Sequence, residues 1–220
     1  MARPPQIEVR VPRVFCGHDG EHGNELGVVL EGGLVGGDDR QALATHLGYS
    51  ETVFVDDPAQ GRIAIYTPSV ELPFAGHPTV GAAWLLAQEG HDIDALRPPA
   101  GRVPVRRDGE LTWVAAQPEW CPPWELRQYD EPEEIDAMAP IHGGWIYAWA
   151  WIDEAAGLAR ARCFVSEAGI DEDEATGSAA LPLCAQVGRE IEVRQGRGSI
   201  IWARPIEEGL VEIGGLVTEG

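Results

Sequence analysis

The pattern of strand, glycine-containing loop, apolar helix and hairpin occurs twice in this chain, and the second copy starts 98 residues after the first. Residues 62–66 align with residues 160–164, and residues 87–90 align with residues 185–188. The strands show period-two alternation, and both helical segments are apolar on nearly all sides, as in helices buried in a core. The repeat therefore predicts an α+β fold with two similar lobes, each a β-sheet wrapped around a central α-helix.

The 220 residues divide into an N-terminal lobe, residues 1–117, and a C-terminal lobe, residues 118–220. The boundary is placed at segment 117–144, which is rich in proline, glutamate and tryptophan and has weak periodicity. The last predicted strand, 212–217, follows the C-terminal lobe in sequence but is compatible with pairing in the N-terminal lobe. The remaining patterns predict strands at 7–15, 51–55, 62–67, 103–107, 110–115, 145–152 and 159–165, a hairpin at 191–203, a helix capped by Asp38 and Asp39, and helices from about Pro78 and Gly177.

The charge of the chain excludes several classes of function. Sixteen basic residues oppose 36 acidic ones, which gives a formal net charge of −20. The basic residues are scattered, whereas a protein that binds DNA, RNA or an anionic membrane needs a basic patch. All sixteen are arginine, so chemistry that needs a lysine amine, such as a Schiff base or a Walker phosphate loop, is excluded.

No apolar run approaches the roughly 20 residues that span a bilayer, and the start of the chain has no signal-peptide pattern. We therefore expect a cytoplasmic protein. Cysteine and histidine spacing predicts no metal site, because there is no C-x-x-C pair and no H-E-x-x-H motif. Cys16, Cys121, Cys163 and Cys184 are expected to be buried thiols.

Three residues carry groups that suit proton transfer, and each has a structural alternative. Glu51 stands at the start of an apolar strand, where desolvation would raise its pKa, and its alternative, which local sequence alone favours, is a solvated glutamate at a strand end. His77 lies at a helix start, where the ring stays neutral, and its alternative is a structural hydrogen bond. Asp173 is one of four acids before a helix, and its alternative is simple complementation of the helix dipole. The two helix N-termini together suit a small carboxylate-bearing ligand.

Taken together, the segments SETVFV, ELPFAGHPTVGAAWLL and RCFVSEAGIDEDEATGSAA resemble the PhzF family of phenazine biosynthesis, which has the diaminopimelate-epimerase-like fold. The resemblance covers most of residues 7–90 and 160–220, and the pair FAGHPTVGAA and ATGSAA is highly specific. It implies two similar lobes with the site in the cleft between them, a homodimer, and an isomerase that needs no cofactor.

The resemblance also assigns residues. The glutamate of its S-E-T segment, here Glu51, is implied to move a proton between substrate carbons. His77 of G-H-P and the acid that corresponds to Asp173 are implied to hold the substrate and place its protons. The implied substrate-binding residues are Asn24, Gly76, Thr176, Gly177 and Ser178.

Four features depart from the family pattern. Glu25 and Glu174 replace prolines, residues 195–199 read Q-G-R-G-S where the family has a longer segment, and residues 117–150 are shortened. These departures concern substrate identity and lobe closure more than the proton-transferring acid. The same fold also hosts racemases with one cysteine at each helix start, and the loops at 74–77 and 174–177 contain none. Two-thiol racemisation is therefore disfavoured.

The sequence thus predicts a cofactor-independent isomerase of a small cyclic or amino-acid-like carboxylic acid in secondary metabolism, such as antibiotic biosynthesis. Two alternatives stay open: a non-catalytic metabolite-binding protein on the same scaffold, and a tautomerase or cyclase of another natural product. Trp145, Tyr147, Trp149 and Trp151 share one face of a strand, which predicts either core or the interface of a homodimer.

Overall fold

The computed structural model of the protein describes residues 7–166 and 170–220. The helices within these ranges are α1 (Gly37–Leu47), α2 (Gly76–Gln88), α3 (Pro132–Ala137) and α4 (Gly177–Val187). The strands within them are β1 (Pro12–Cys16), β2 (Asn24–Glu25), β3 (Gly27–Val29), β4 (Thr52–Asp57), β5 (Arg62–Tyr66), β6 (Glu71–Leu72), β7 (Ala95–Leu96), β8 (Val103–Asp108), β9 (Leu111–Ala116), β10 (Glu125–Gln128), β11 (Ile146–Asp153), β12 (Leu158–Val165), β13 (Ile170–Asp173), β14 (Ile191–Gln195), β15 (Ser199–Pro205) and β16 (Val211–Glu219).

Strands from both ends of the chain enclose α2 in a closed ring. One sheet contributes β3, β4 and β5, and the other contributes β7, β8, β9, β16 and β1 as successive neighbours. Two isolated bridges connect the sheets, one between Arg10 and Val28 and one between Arg62 and Arg97. Most of α2 is buried inside this ring, as its nearly all-apolar sequence requires.

The second central helix, α4, packs against β15 and β16 and belongs to the same core as α2. Side chains of β11, β12 and β14, such as Tyr147, Ala161 and Val193, complete that core. The prediction of an α+β fold with a strand-wrapped helix in each half is confirmed.

Strand β16 joins the two halves of the chain. It pairs with β15 on one edge and with β9 on the other, and its last residues pair with β1. The predicted boundary at residue 117 falls directly after β9. Because backbone hydrogen bonding continues across it, the division into two domains stays a prediction.

The predicted cap of α1 is wrong. The N-cap residue is Gly36, and no side chain caps this helix. Asp38 and Asp39 lie in its first turn, where their negative charges interact favourably with the helix dipole. The predicted end is correct, since Gly48 takes the left-handed conformation that closes the helix. The first strand is also shorter than predicted, because the residues before Pro12 pair only through the bridge at Arg10.

Segment 117–144 contains regular structure despite its weak periodicity. Strand β10 adds to β11 in parallel, and α3 covers one face of that edge, with Ile135 packed on Ile146 and Phe164. The opposite face of β11 carries the aromatic side chains. Tyr147 and Trp149 are at most 2% exposed and belong to the core of this chain. The homodimer therefore rests on the family resemblance alone.

The four cysteines are free, and Cys121 differs from the prediction because it is only half-buried. Among the described helices, none is both long enough and apolar enough to cross a membrane.

Candidate active site

The N-termini of the two central helices meet at Gly76 and Gly177. A β-carbon at position 76 would lie 2.7 Å from Cα of Gly177 and 2.8 Å from the backbone nitrogen of Ser178. Backbone atoms cannot swing away as a side chain can, so this approach requires glycine at position 76. The first N–H groups of a helix have no acceptor within it and carry partial positive charge. Both positive helix ends therefore lie in one small region.

A cavity of about 220 Å³ lies at these helix ends. Its ionisable lining residues are Glu51 and Asp173, and no cationic side chain of the described residues lines it. Hydroxyl groups are supplied by Ser50, Thr67, Ser69, Thr176 and Ser178. Apolar walls are formed by Val70, Leu72, Phe74, Ala75, Pro122, Trp124, Trp145 and Val165. A groove of about 810 Å³ adjoins the cavity and shares Ser50, Ser69 and Asp173 with it.

Glu51 and His77 face each other at this site. Oε2 of Glu51 lies 3.5 Å from Nε2 of His77, and neither buried atom has a hydrogen-bond partner in the described part of the chain. Glu51 immediately precedes β4, and His77 is the second residue of α2. The apolar side chains of β4 and α2 form part of the core. The polar groups of Glu51 and His77 are therefore withdrawn from solvent together with these elements.

Burial sets the protonation of this pair. It raises the pKa of Glu51 to about 8, and the charge of Asp173 adds to the rise. It lowers the pKa of His77 to about 3. At neutral pH the imidazole is therefore uncharged, and the Glu51 carboxyl is close to the range in which it can both take up and release a proton.

The carboxylate of Asp173 is held by two donors. Nδ2 of Asn24 donates to Oδ1 at 2.7 Å, and the hydroxyl of Thr176 donates to Oδ2 at 2.5 Å. Burial raises the pKa of Asp173 to about 6, and both hydrogen bonds oppose that rise because they favour the ionised form. Asn24 also donates to the carbonyl of Ala175 at 3.3 Å. One side chain of the first half of the chain thus holds the loop before α4.

Gln195 was not among the predicted site residues, yet it fixes one of their loops. Its Nε2 donates to the carbonyl of Asp173 and to Oγ1 of Thr176, both at 2.8 Å. Its Oε1 accepts from the backbone N–H of Thr176 at 3.1 Å and from the hydroxyl of Tyr147 at 2.9 Å. The buried amide thereby fixes the loop that presents Asp173. A signal was present, because alternation from Ile191 through Val193 places position 195 on the buried face of β14.

An aromatic wall, formed by Phe74, Trp124 and Trp145, was also missed. The rings of Trp124 and Trp145 meet edge to face with centroids 5.3 Å apart. The indole N–H of Trp124 is buried and has no acceptor among the residues described. These side chains come from three separate segments, so no local pattern marks them as one surface.

The predicted site residues lie in one region. Glu51, Asp173, Thr176 and Ser178 line the cavity, Asn24 and His77 contact it through Asp173 and Glu51, and Gly76 and Gly177 form the helix contact. Their roles in chemistry stay predictions. Over residues 7–166 and 170–220, no three His, Cys, Asp or Glu side chains cluster closely enough to hold a metal ion.

A family profile of phenazine biosynthesis-like proteins and a curated isomerase both match this chain. The family profile PhzC-PhzF, described as phenazine biosynthesis-like protein, matches residues 14–138. The trans-2,3-dihydro-3-hydroxyanthranilate isomerase of Pseudomonas aeruginosa is 30% identical over an alignment that covers 83% of this chain and 84% of that protein.

Solved structures support the same fold. A phenazine biosynthesis PhzC/PhzF protein from Clostridium difficile superposes with a TM-score of 0.78 at 19% identity, over 98% of this chain and 97% of the other. A hydroxyproline epimerase from Agrobacterium vitis superposes with a TM-score of 0.61 at 11% identity, over 97% of this chain and 90% of the other.

Proposed function

The chain belongs to the PhzC-PhzF family of phenazine biosynthesis-like proteins, and on that premise we propose that it is an isomerase that moves a proton between carbons of a small carboxylic acid without a cofactor. One observation carries the proposal. Two half-buried carboxyl groups, Glu51 and Asp173, line a single apolar-walled cavity, and the pKa of each is raised towards neutrality. Groups of this kind suit general acid–base chemistry.

Glu51 is proposed to act first as base and then as acid. Its ionised form removes a proton from an activated C–H bond, the electron pair delocalises into the substrate, and the same carboxyl returns the proton at another carbon. The double bond moves, and the number of protons and electrons is unchanged. Acid–base catalysis of this kind supplies about 10²- to 10⁴-fold, so positioning in the cavity must supply much of the rest.

His77 and Asp173 are proposed to orient the substrate and to stabilise the shifted charge. The imidazole is neutral, and its Nε2 faces the cavity-lining carboxyl of Glu51 without a competing partner among the described residues. A substrate group within hydrogen-bond distance of both would satisfy these unpaired atoms. Asp173, held by Asn24 and Thr176, offers a fixed acceptor on the opposite half of the site.

The substrate carboxylate is proposed to bind at the helix N-termini. No arginine of the described chain lines the cavity, so backbone N–H groups and hydroxyls must replace a cationic clamp. The N–H groups of Gly177 and Ser178 have no acceptor in the described residues, and the hydroxyl of Ser178 lines the cavity. Gly76 contributes by allowing the two helix ends to approach.

The size and walls of the cavity favour a ring-shaped substrate. A volume of about 220 Å³ holds a six-membered ring with a few substituents, and Phe74, Trp124 and Trp145 offer flat apolar surfaces. The substrate named for the Pseudomonas aeruginosa relative, trans-2,3-dihydro-3-hydroxyanthranilate, has this form and is the first compound to test. Secondary metabolism of the phenazine type is the corresponding proposed context.

The test is to incubate the protein with trans-2,3-dihydro-3-hydroxyanthranilate in deuterated water and follow the C–H signals by proton NMR. The proposal expects loss of one C–H signal and growth of an isomer that carries either the transferred proton or solvent deuterium. Binding without any exchange would favour the alternative of a metabolite-binding protein. A ring-closed product would favour a cyclase. Absence of binding would contradict the proposed substrate class.

The homodimer and the cytoplasmic location also remain proposals. The first rests on the family resemblance, and the second on the composition of the chain. Sedimentation or light scattering at high micromolar concentration tests the first, and a strictly monomeric protein would contradict it.

A further inference from the structure

The side chain of Glu174 contacts the turn formed by residues 195–199. The side chain of Glu174 is 17% exposed. Its Oε1 accepts hydrogen bonds from the backbone N–H of Arg197 at 2.9 Å and from the hydroxyl of Ser199 at 3.0 Å. Its Oε2 accepts from Nε of Arg197 at 3.3 Å. The carboxylate of Glu174 therefore holds the 195–199 turn through three hydrogen bonds.

The contact extends into the first half of the chain. The hydroxyl of Ser199 donates to Glu174 and accepts from the backbone N–H of Gly23 at 3.1 Å. The next residue, Asn24, donates to Asp173, and Asp173 is bonded to Glu174. Five residues thus form a closed ring, from Asp173 through Glu174, Ser199, Gly23 and Asn24 back to Asp173. We call this ring the clasp.

The backbone around the clasp is packed too tightly to accommodate other side chains. Gly196 has a φ of +58°, and a β-carbon there would lie 2.5 Å from Cδ of Glu174. A β-carbon at Gly198 would lie 2.3 Å from Cδ2 of His22. The 195–199 turn therefore packs closely against Glu174 and His22, and Ser199 is fully buried.

We propose that Glu174 and Ser199 are positioning residues, which hold Asn24 against Asp173 and so keep the two halves of the site in register. That Asp173 is a catalytic group rests on the proposed function, but the clasp itself does not. Glu174 lines the adjoining groove and not the cavity itself. It acts through the hydrogen bond between Asn24 and Asp173.

The clasp has a measurable consequence for Asp173. The hydrogen bond from Asn24 favours the ionised carboxylate, while the charge of Glu174 disfavours it. The other titratable groups that face Asp173 are Glu51, Cys163 and Tyr147. A substitution that breaks the clasp without removing a charge should therefore raise the pKa of Asp173.

Ser199→Ala is that substitution. Carboxyl-carbon NMR of the labelled protein measures the titration of Asp173, and the side-chain amide signals of Asn24 report its hydrogen bond. We expect the pKa of Asp173 to rise by about one unit and the amide signals of Asn24 to move towards those of a free carboxamide. Neither readout needs a substrate, so failure of the proposed reaction leaves this result intact.

Glu174→Ala and Glu174→Gln separate geometry from charge. The alanine variant loses the acceptor and should release Asn24 as Ser199→Ala does. In the double variant with Ser199→Ala, the Asn24 amide signals should move no further than in either single variant. The glutamine variant keeps an acceptor oxygen and should retain the Asn24 signals, while the lost charge lowers the pKa of Asp173.

Glu172→Gln is the matched control. Glu172 is the other neighbour of Asp173 and pairs with Arg162 at 2.6 Å, outside the clasp. It should leave the Asn24 amide signals unchanged. Each of the variants Glu174→Ala and Ser199→Ala that folds is compared with the wild type. The proposal is overturned if these variants change neither the Asn24 signals nor the titration of Asp173. It is also overturned if Glu172→Gln moves the Asn24 signals equally.

Discussion

Oε2 of Glu51 and Nε2 of His77 lie 3.5 Å apart, and each is a buried polar atom without a hydrogen-bond partner among the described residues. Leaving such atoms unpaired costs about 1–3 kcal/mol each. The fold maintains this arrangement because the strand and the helix that carry the two residues are core elements. We propose that the substrate supplies the missing hydrogen-bond partner of these two atoms.

Glu51→Gln tests the proposed base directly. The substitution keeps the shape of the side chain but removes its ability to accept a proton. We expect exchange of substrate C–H protons in deuterated water to fall by about 10²- to 10⁴-fold, while the affinity for trans-2,3-dihydro-3-hydroxyanthranilate changes little. Glu110→Gln, in the exposed hairpin turn, is the control. Exchange near the wild-type rate would show that the base is another group, with Asp173 as the next candidate.

The pH dependence of the reaction should report the raised pKa of Glu51. Because only the ionised carboxylate accepts a proton, kcat/KM should rise roughly tenfold per pH unit on the acid side and level off above about pH 8. Asp173 shares the cavity, so the observed midpoint belongs to the pair of carboxyls. A profile that is flat from about pH 6 to about pH 9 would contradict this assignment.

Protein stability should depend on pH with a sign set by the same group. Burial raises the pKa of Glu51 from 4.5 to about 8, so the folded protein binds more protons than the unfolded chain between these values. Its contribution to stability is therefore greatest below about pH 4.5 and is lost as the pH rises through about 8. Between about pH 5 and about pH 8, the Tm of the wild type should fall more than that of Glu51→Gln. Parallel Tm curves would be inconsistent with a raised pKa.

Gly76→Ala should disrupt the contact between the two central helices. The added β-carbon would meet backbone atoms of Gly177 and Ser178 at 2.7–2.8 Å, and backbone cannot rotate out of the way. We expect a loss of about 1–3 kcal/mol in the free energy of unfolding, measured in urea. Gly37→Ala is the matched control, because a β-carbon in that helical position meets no atom within 4 Å. It should be neutral or stabilise by up to about 1 kcal/mol.

Trp145→Ala should impair recognition of a ring more than the chemical step. Trp145 lines the cavity and stacks edge to face on Trp124. We expect KM for the ring substrate to rise roughly 3- to 10-fold, with a smaller change in kcat. Trp151→Ala is the control, since Trp151 lies in β11, is half-buried like Trp145, and lies outside the cavity. Equal effects of the two substitutions on KM would contradict the role of the aromatic wall.

The sequence by itself predicted the elements that depend on local pattern. The Asp108-Gly109 turn signal between residues 103–107 and 110–115 predicted the hairpin of β8 and β9. The continuous apolar segments predicted α2 and α4, because a helix buried on all faces needs apolar residues all round. Local pattern failed at the cap of α1, where Gly36 occupies the position that Asp38 or Asp39 was expected to fill. The candidate site residues came from a resemblance to a family, which carries information that no single window contains.

Only the tertiary structure decided which residues meet. Asn24 and Asp173 are 149 positions apart, and Gly23 and Ser199 are 176 positions apart. The aromatic wall likewise draws on three separate segments, and Gln195 contacts Tyr147 from 48 positions away. Hydrogen bonds between distant residues depend on how strands are paired across the whole sheet, and sequence periodicity does not encode that pairing. The raised pKa of Glu51 is decided at the same level, because desolvation is a property of the packed interior and not of the strand on which the carboxyl lies.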